Sequence, residues 1–246
     1  MNRTALVLVA LLVLAGASYY LLTQPGSPLQ TSPTTSSMPV PSSTEGGYGE
    51  ASGTQAGSQV EELPKEPLSE DEIKALLYMR EEEKLARDVY LTLYEKWGIQ
   101  IFKNIAESEQ RHTDMVKALI EKYGLKDPAV NEVGKFTDPH IQELYNALVA
   151  EGEKSEVDAL KVGAKIEELD IKDIREWLEK VDNEDIRQVF NNLINGSMNH
   201  LRSFVSVLKT YGVDYQPQII SQEEFERIVS AAPGSFGQGG AGGGKG

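Results

Sequence analysis

The chain has 246 residues, 38 of them acidic and 24 basic, with a net charge of −14 and no cysteine. Without cysteine it cannot form disulfides, thiolate metal sites or a cysteine nucleophile. The acidic balance argues against nucleic acid as a partner, because proteins that bind nucleic acids present a basic face to the phosphates. Any chemistry therefore depends on carboxylates, imidazoles, hydroxyl groups and phenols.

Residues 1–23 contain a hydrophobic segment that predicts either a signal peptide or a membrane anchor. Residues 5–22 are all apolar or small. Residues 15–17, Ala-Gly-Ala, have the small-x-small form of a cleavage site, whereas the apolar run continues beyond them, which favours an anchor. Arg3 precedes the segment and the next basic residue is Lys65. The positive-inside rule therefore predicts an extracytoplasmic protein, either membrane-anchored or secreted.

Two further regions have compositions that disfavour a packed core. Residues 24–67 are rich in Ser, Thr, Pro and Gly, which predicts a disordered stalk. Residues 214–246 form a C-terminal extension, in which we expect one short amphipathic helix at about 222–231 and then a disordered glycine-rich tail. Between them, residues 68–213 have the size of one domain.

The pattern of residues 68–213 is helical throughout. Ser69 with Glu72 forms a capping box, and the helix that it opens is expected to end at Trp97, before Gly98. The other predicted helices run from about 102 to 123, from Pro139 as a short helix, from 155 to 181 and from 184 to 211. The four long helices make two hairpins, and the connection of roughly 30 residues between them suits a crossover.

The second and fourth long helices are related by an internal repeat with an offset of 88 residues. His112 corresponds to His200, and Gly124 corresponds to Gly212. This correspondence indicates that the second hairpin duplicates the first. The first and third helices match more loosely, at an offset of 85 residues, which pairs Glu83 with Glu168.

Several potential metal ligands lie on the apolar stripes of these helices. Glu109 and His112 are three residues apart, so they share one helix face with Ile105 and Val116. A buried carboxylate is costly unless it is paired or binds a cation. Oxygen and imidazole ligands suit iron, manganese or zinc. The other helices direct further candidates toward the same axis: Glu83, Glu167, Glu168 and His200. At least one of Glu81–Glu83 is expected on a solvated face.

Residues 68–213 resemble a ferritin-like domain. The similarity is carried by residues 80–90 (REEEKLARDVY), 109–112 (EQRH), 166–171 (IEELDI) and 197–200 (SMNH). The chain is most similar to an uncharacterised prokaryotic domain of unknown function in that superfamily, distantly related to rubrerythrin. The resemblance implies an all-α fold, a ferritin-like four-helix bundle of two helical hairpins with a crossover connection. It also implies these metal ligands, with Glu167 as the alternative to Glu168: Glu83, Glu109, His112, Glu168 and His200.

Ser197 departs from that family pattern, which has a glutamate at this position of the fourth helix. Asp170 or Glu167 could supply the missing oxygen. Two functions remain open. One is a metal-binding protein whose iron or manganese centre acts as an oxidase, peroxidase or ferroxidase. The other is a metal-free or singly metallated bundle that serves as a cell-surface binding or structural module. The expected partners are metal ions, the membrane through the N-terminal segment, and a second copy in a homodimer.

Overall fold

The computed structural model describes Leu63 and residues 65–232. The predicted signal peptide or anchor, most of the predicted stalk and the glycine-rich tail lie outside these residues. Within the described part, no helix combines the length and the apolar character that crossing a membrane requires.

The described residues contain six helices and no strand, which confirms the all-α prediction. Each predicted helix is present, and its ends lie within a few residues of the expected positions. The helices are α1 Glu70–Trp97, α2 Gln100–Tyr123, α3 Pro139–Gly152, α4 Glu156–Leu178, α5 Glu184–Thr210 and α6 Gln222–Ser230.

Local hydrogen bonds explain where most of these helices begin and end. The Ser69 hydroxyl accepts from the backbone N–H of Glu72, and the Glu72 carboxylate accepts from the backbone N–H of Ser69, so the capping box is complete. Gly98 and Gly124 end α1 and α2 with φ values of 68° and 70°. Such left-handed angles are easily adopted only by glycine.

The four long helices share one hydrophobic core. α1 packs along α2 and α4 packs along α5, while α1 also contacts α4 and α2 contacts α5. Tyr90, Phe102 and Phe204 meet in this core, with ring centroids 5.3–6.2 Å apart. On α4, a Cβ added to Gly163 would lie 2.4 Å from the Phe204 ring, so this glycine allows α4 to approach α5 closely.

Charged side chains of α1 anchor the connection that leads to α3. The Lys84 ammonium donates to Asp88 and to the backbone carbonyls of Glu132 and Lys135. The Glu81 carboxylate accepts from the backbone N–H groups of residues 137 and 138, immediately before α3. The connection therefore covers the outer face of α1.

This cover overturns the expectation that one of Glu81–Glu83 is solvated. All three side chains are buried, with exposures of 3%, 0% and 0%. The sequence expectation was wrong because it treated α1 as having one outward face, whereas the connection and α3 pack on that face.

The segment after α5 also packs on the domain. α6 lies against α5 and buries Phe225 and Ile228, and Tyr215 in the preceding segment is buried as well. Arg175 of α4 forms an ion pair with Glu224 of α6. Residues 214–232 therefore extend the hydrophobic core beyond the four long helices.

Candidate metal centre

Five side chains from the four long helices meet in the middle of the core. We call this set the core cluster: Glu83 of α1, Glu109 and His112 of α2, Glu167 of α4 and His200 of α5. The three glutamates have no exposed surface, and the two histidines are only 6% and 9% exposed. The spacing of three residues between Glu109 and His112 places both on the inner face of α2.

Glu109 is the centre of the core cluster because its two oxygens face different histidines. Its Oε2 lies 2.8 Å from Nδ1 of His112, and its Oε1 lies 2.7 Å from Nδ1 of His200. Glu83 Oε2 is 3.2 Å from the same His112 nitrogen, and Glu167 Oε2 is 3.5 Å from the same His200 nitrogen. The result is two triads that share Glu109, each with its ligand atoms within 4.8 Å of one another.

Several of these atoms are close together without forming hydrogen bonds. Within residues 65–232, no hydrogen-bond partner is present for either oxygen of Glu109, for one oxygen each of Glu83 and Glu167, or for Nδ1 of His200. The short distance between His200 and Glu109 therefore lacks the alignment that a hydrogen bond requires. Leaving buried carboxylate oxygens unpaired is costly. Atoms that converge without pairing are the arrangement expected of metal ligands, so the residues present fit a pair of cations.

Burial and charge shift the pKa values of the cluster in opposite directions. Burial raises the pKa of Glu83 and of Glu167 to about 7, although the facing histidines partly oppose this. Burial opposes ionisation of Glu109 too, but the charges of His112 and His200 hold its pKa well below the usual range. Burial would lower the pKa of His200, yet the charges of Glu109 and Glu167 raise it to about 9.

A glycine of α5 makes room for the His112 ring. A Cβ added to Gly196 would lie 2.4 Å from Cε1 and 2.5 Å from Nε2 of that ring. The Nε2 edge of the His112 ring therefore packs against the backbone of α5, and its Nδ1 faces the carboxylates of Glu83 and Glu109. Sequence analysis did not assign this position to the site. The only local signal was a glycine inside a helix, four residues before His200.

Comparison with known proteins gives the family. Residues 72–232 match the model of the "Uncharacterized protein domain (DUF2202)". The chain belongs to this family. A relative in Methanocaldococcus jannaschii, uncharacterized protein MJ0754, is 60% identical over 174 residues, which are 70% of this chain and 94% of that protein. The crystal structure of hypothetical protein MJ0754 matches with a TM-score of 0.68 over 70% of this chain and 98% of that chain.

The DUF2202 match includes α6. Glu168 of α4 binds residues 215–220, the segment that precedes α6. Its carboxylate accepts from the Tyr215 hydroxyl at 2.6 Å and from the backbone N–H groups of residues 218, 219 and 220 at 2.7–3.0 Å. Glu168 therefore does not join the core cluster, and Glu167 faces it instead. Neighbouring residues on a helix differ by about 100° in direction, so only one of the two can face the cluster. The offset that pairs α1 with α4 at the cluster is therefore 84 residues, Glu83 with Glu167, and not 85.

Two more residues of the DUF2202 domain decide which groups face the cluster. The Tyr90 hydroxyl donates to Glu167 Oε1 at 2.6 Å, and burial keeps the pKa of this phenol well above its usual value. Tyr90 therefore stays protonated and orients Glu167. The Ser197 hydroxyl donates to the backbone carbonyl of Leu193 at 3.2 Å, within its own helix. Ser197 thus brings no carboxylate to the cluster.

The metal-free protein is expected to lose stability as the pH rises from about 5 to 9. In the folded state the pKa values of Glu83 and Glu167 are about 7 and that of His200 is about 9, against ordinary values of 4.5 and 6.5. The folded protein therefore binds more protons than the unfolded chain across this interval. For each proton that the folded protein binds in excess of the unfolded chain, the free energy of unfolding falls by about 1.4 kcal/mol per unit increase in pH.

Urea unfolding in the presence of a chelator at pH 5, 7 and 9 measures this effect. The midpoint should fall at each step. The Glu107→Gln variant, which changes an exposed carboxylate of α2, should follow the same profile. A midpoint that stays constant or rises with pH would mean that the cluster does not hold these protons.

Proposed function

We propose that this DUF2202 domain is a ferritin-like four-helix bundle that binds two metal ions in the core cluster. In this proposal α1–α2 and α4–α5 are the two hairpins, and the connection that contains α3 is the crossover. The packing of α1 on α2 and α4 on α5, with the α1–α4 and α2–α5 contacts, supports this arrangement.

The observation that carries the proposal is the pair of triads around Glu109. Each metal position has two carboxylates and one imidazole, and Glu109 belongs to both positions. Such ligands suit iron or manganese, and they also accept zinc. The unpaired buried oxygens supply the physical reason, since a cation would satisfy them without any change in the fold.

Bound iron or manganese would supply redox chemistry with oxygen or peroxide, or the oxidation of ferrous iron. The protein's own residues would hold and shield the ions. Glu83, Glu109 and Glu167 are fully buried, so water has no direct access to the carboxylates. Tyr90 fixes one oxygen of Glu167 and leaves the other free to bind. Such supporting hydrogen bonds typically change metal affinity or activity 10–100-fold.

We further propose that the domain works outside the cytoplasm, attached to the membrane or secreted. The support is the apolar run at residues 5–22 and the absence of Lys or Arg between it and Lys65. Protease treatment of intact cells tests this location. Digestion of the domain without lysis is expected, and protection until lysis would contradict it. Formation of a homodimer remains a prediction from the family resemblance.

A metal-free structural or binding module is the second candidate, and the contacts of Glu109 favour it. A carboxylate between two protonated histidines is already compensated in charge. Ser197, which leaves α5 without a carboxylate in the core cluster, points in the same direction. In this case the core cluster would stabilise the fold, and the function would depend on the surface of the domain.

Metal content distinguishes the two candidates. The full chain is purified in detergent without a metal-binding tag, incubated separately with ferrous iron under anaerobic conditions, Mn²⁺ and Zn²⁺, desalted, and analysed by mass spectrometry for metals. About two iron or manganese ions per chain are expected. A folded chain that retains none of the three metals would exclude the metal centre and leave the structural module. Oxygen or peroxide consumption by the loaded protein then tests the reaction.

A further inference from the structure

The two hairpins contribute different residues to the core cluster. The first hairpin supplies two carboxylates and one imidazole, from Glu83, Glu109 and His112. The second supplies one of each, from Glu167 and His200, because Ser197 stands 88 residues after Glu109, at the position where the repeat would place its counterpart. The second hairpin therefore lacks one carboxylate relative to the first.

Asp170 of α4 is a buried carboxylate without a partner among the described residues. It is 1% exposed, and neither of its oxygens has a hydrogen bond within this part of the chain. Other buried aspartates are well compensated. Asp88 accepts from Lys84, Arg87 and the backbone N–H of Gly134. A carboxylate in the core that no described residue pairs is costly, which points to a ligand that would neutralise it.

The position of Asp170 directs it toward the core cluster. It follows Glu167 by three residues, so the two share the inner face of α4, as Glu109 and His112 share that of α2. Burial raises its pKa well above the usual value, and the charges of Glu82, Glu83, Glu167 and Glu109 raise it further. Two of them are partly satisfied from outside the cluster, Glu82 by the Tyr78 hydroxyl and Glu167 by the Tyr90 hydroxyl.

We propose that Asp170 is a sixth ligand of the metal centre and replaces the carboxylate that Ser197 lacks. This inference rests on the proposed function. With Asp170, each hairpin supplies two carboxylates and one histidine. Two divalent ions and three carboxylates would leave one excess positive charge in the core, and the Asp170 carboxylate neutralises it. At the offset of 84 residues, the first hairpin has Ala86 where the second has Asp170.

The Asp170→Asn variant of the full chain tests the proposal by two measurements that should move in opposite directions. The affinity for the second Mn²⁺ ion should fall at least ~10-fold, a loss no smaller than the 10–100-fold typical of outer-shell partners. The urea midpoint of the chelator-treated protein should rise, because the variant removes a buried carboxyl group whose ionisation the core opposes and the unfolded chain allows. Asp173→Asn, one turn further along α4, is the matched control. It should leave Mn²⁺ binding unchanged, because Asp173 pairs with Lys172 and Tyr78.

Moving the carboxylate from α4 to α5 should restore binding of the second Mn²⁺ ion. Asp170→Ala combined with Ser197→Glu gives the second hairpin the same residues as Ala86 and Glu109 in the first. This double variant should recover two Mn²⁺ ions per chain, whereas Asp170→Ala alone should not. Asp170→Glu, which keeps the carboxylate on α4, should also retain the second ion and serves if the double variant does not fold.

The outcomes separate this inference from the proposed function. If the wild-type chain binds two ions and Asp170→Asn binds them equally tightly, Asp170 is not a ligand and the metal centre stands without it. If Asp173→Asn weakens binding as much as Asp170→Asn, the effect is general electrostatics and the inference also fails. If the wild-type chain binds no metal, the proposed function itself is wrong and the inference falls with it.

Discussion

Replacing Glu109 with glutamine is expected to remove both metal ions, reducing the content from about two per chain to nearly none. Each Glu109 oxygen faces a different histidine, at 2.8 and 2.7 Å, so this one side chain belongs to both triads. Glutamine has almost the same shape, but it carries no charge and presents only one oxygen. Metal analysis of the full chain after loading with Mn²⁺ measures the loss.

The control for this substitution is Glu107→Gln, two residues away on α2. Glu107 is exposed, so the same chemical change should leave the metal content at the wild-type level. Circular dichroism of both variants checks that the helices remain. If Glu109→Gln retains one ion per chain, the two positions do not share this carboxylate and the ions are held independently.

The second large effect is expected from Gly196→Ala, which should remove one of the two metal ions. The new Cβ would lie 2.4 Å from Cε1 of His112, far inside contact distance, so the ring must move away. The triad of Glu83, Glu109 and His112 then loses its nitrogen ligand. The triad that contains His200 does not depend on this contact. Metal content should therefore fall from about two ions per chain to about one.

The stability of the metal-free Gly196→Ala variant gives an independent sign test. Alanine in a helix interior is favoured over glycine by about 1 kcal/mol, so without a clash the substitution should raise the unfolding midpoint. We expect it to fall, because the ring and α5 must separate. Asn192→Ala, at an exposed position of α5, reports the effect of helix propensity alone. A stabilised variant with two bound ions would show that the His112 ring has room to move.

Much of the fold was predictable because its signals are local. The capping box at Ser69 and Glu72 and the glycines at 98 and 124 act through hydrogen bonds and backbone angles within a few residues. For the same reason Pro139 was predictable as the first residue of α3, with Thr137 or Asp138 as the cap. The structure has Asp138, whose side chain accepts from the backbone N–H of His140. Such features depend only on neighbouring residues, so a sequence alone contains them.

The core cluster was predictable where the helix repeat fixes the direction of a side chain. The spacing of Glu109 and His112, and the 88-residue repeat that relates His112 to His200, placed these three residues on inner faces. The structure brings them together with Glu83. The loose match between α1 and α4 did not settle the choice between Glu167 and Glu168, because an error of one residue rotates a side chain by about 100°.

The remaining features depend on segments that are distant in sequence. Glu168 faces away from the core cluster because residues 215–220 supply its four donors. Glu81 is buried because the connection before α3 lies on the outer side of α1. Glu82 is buried where Tyr78 of α1 also binds Asp173 of α4. Gly196 matters because the His112 ring packs on it from another helix. The amino-acid sequence by itself determined the helices and the residue types at their centre. Only the tertiary structure decided which neighbouring carboxylate faces inward, because that choice depends on what packs against each helix.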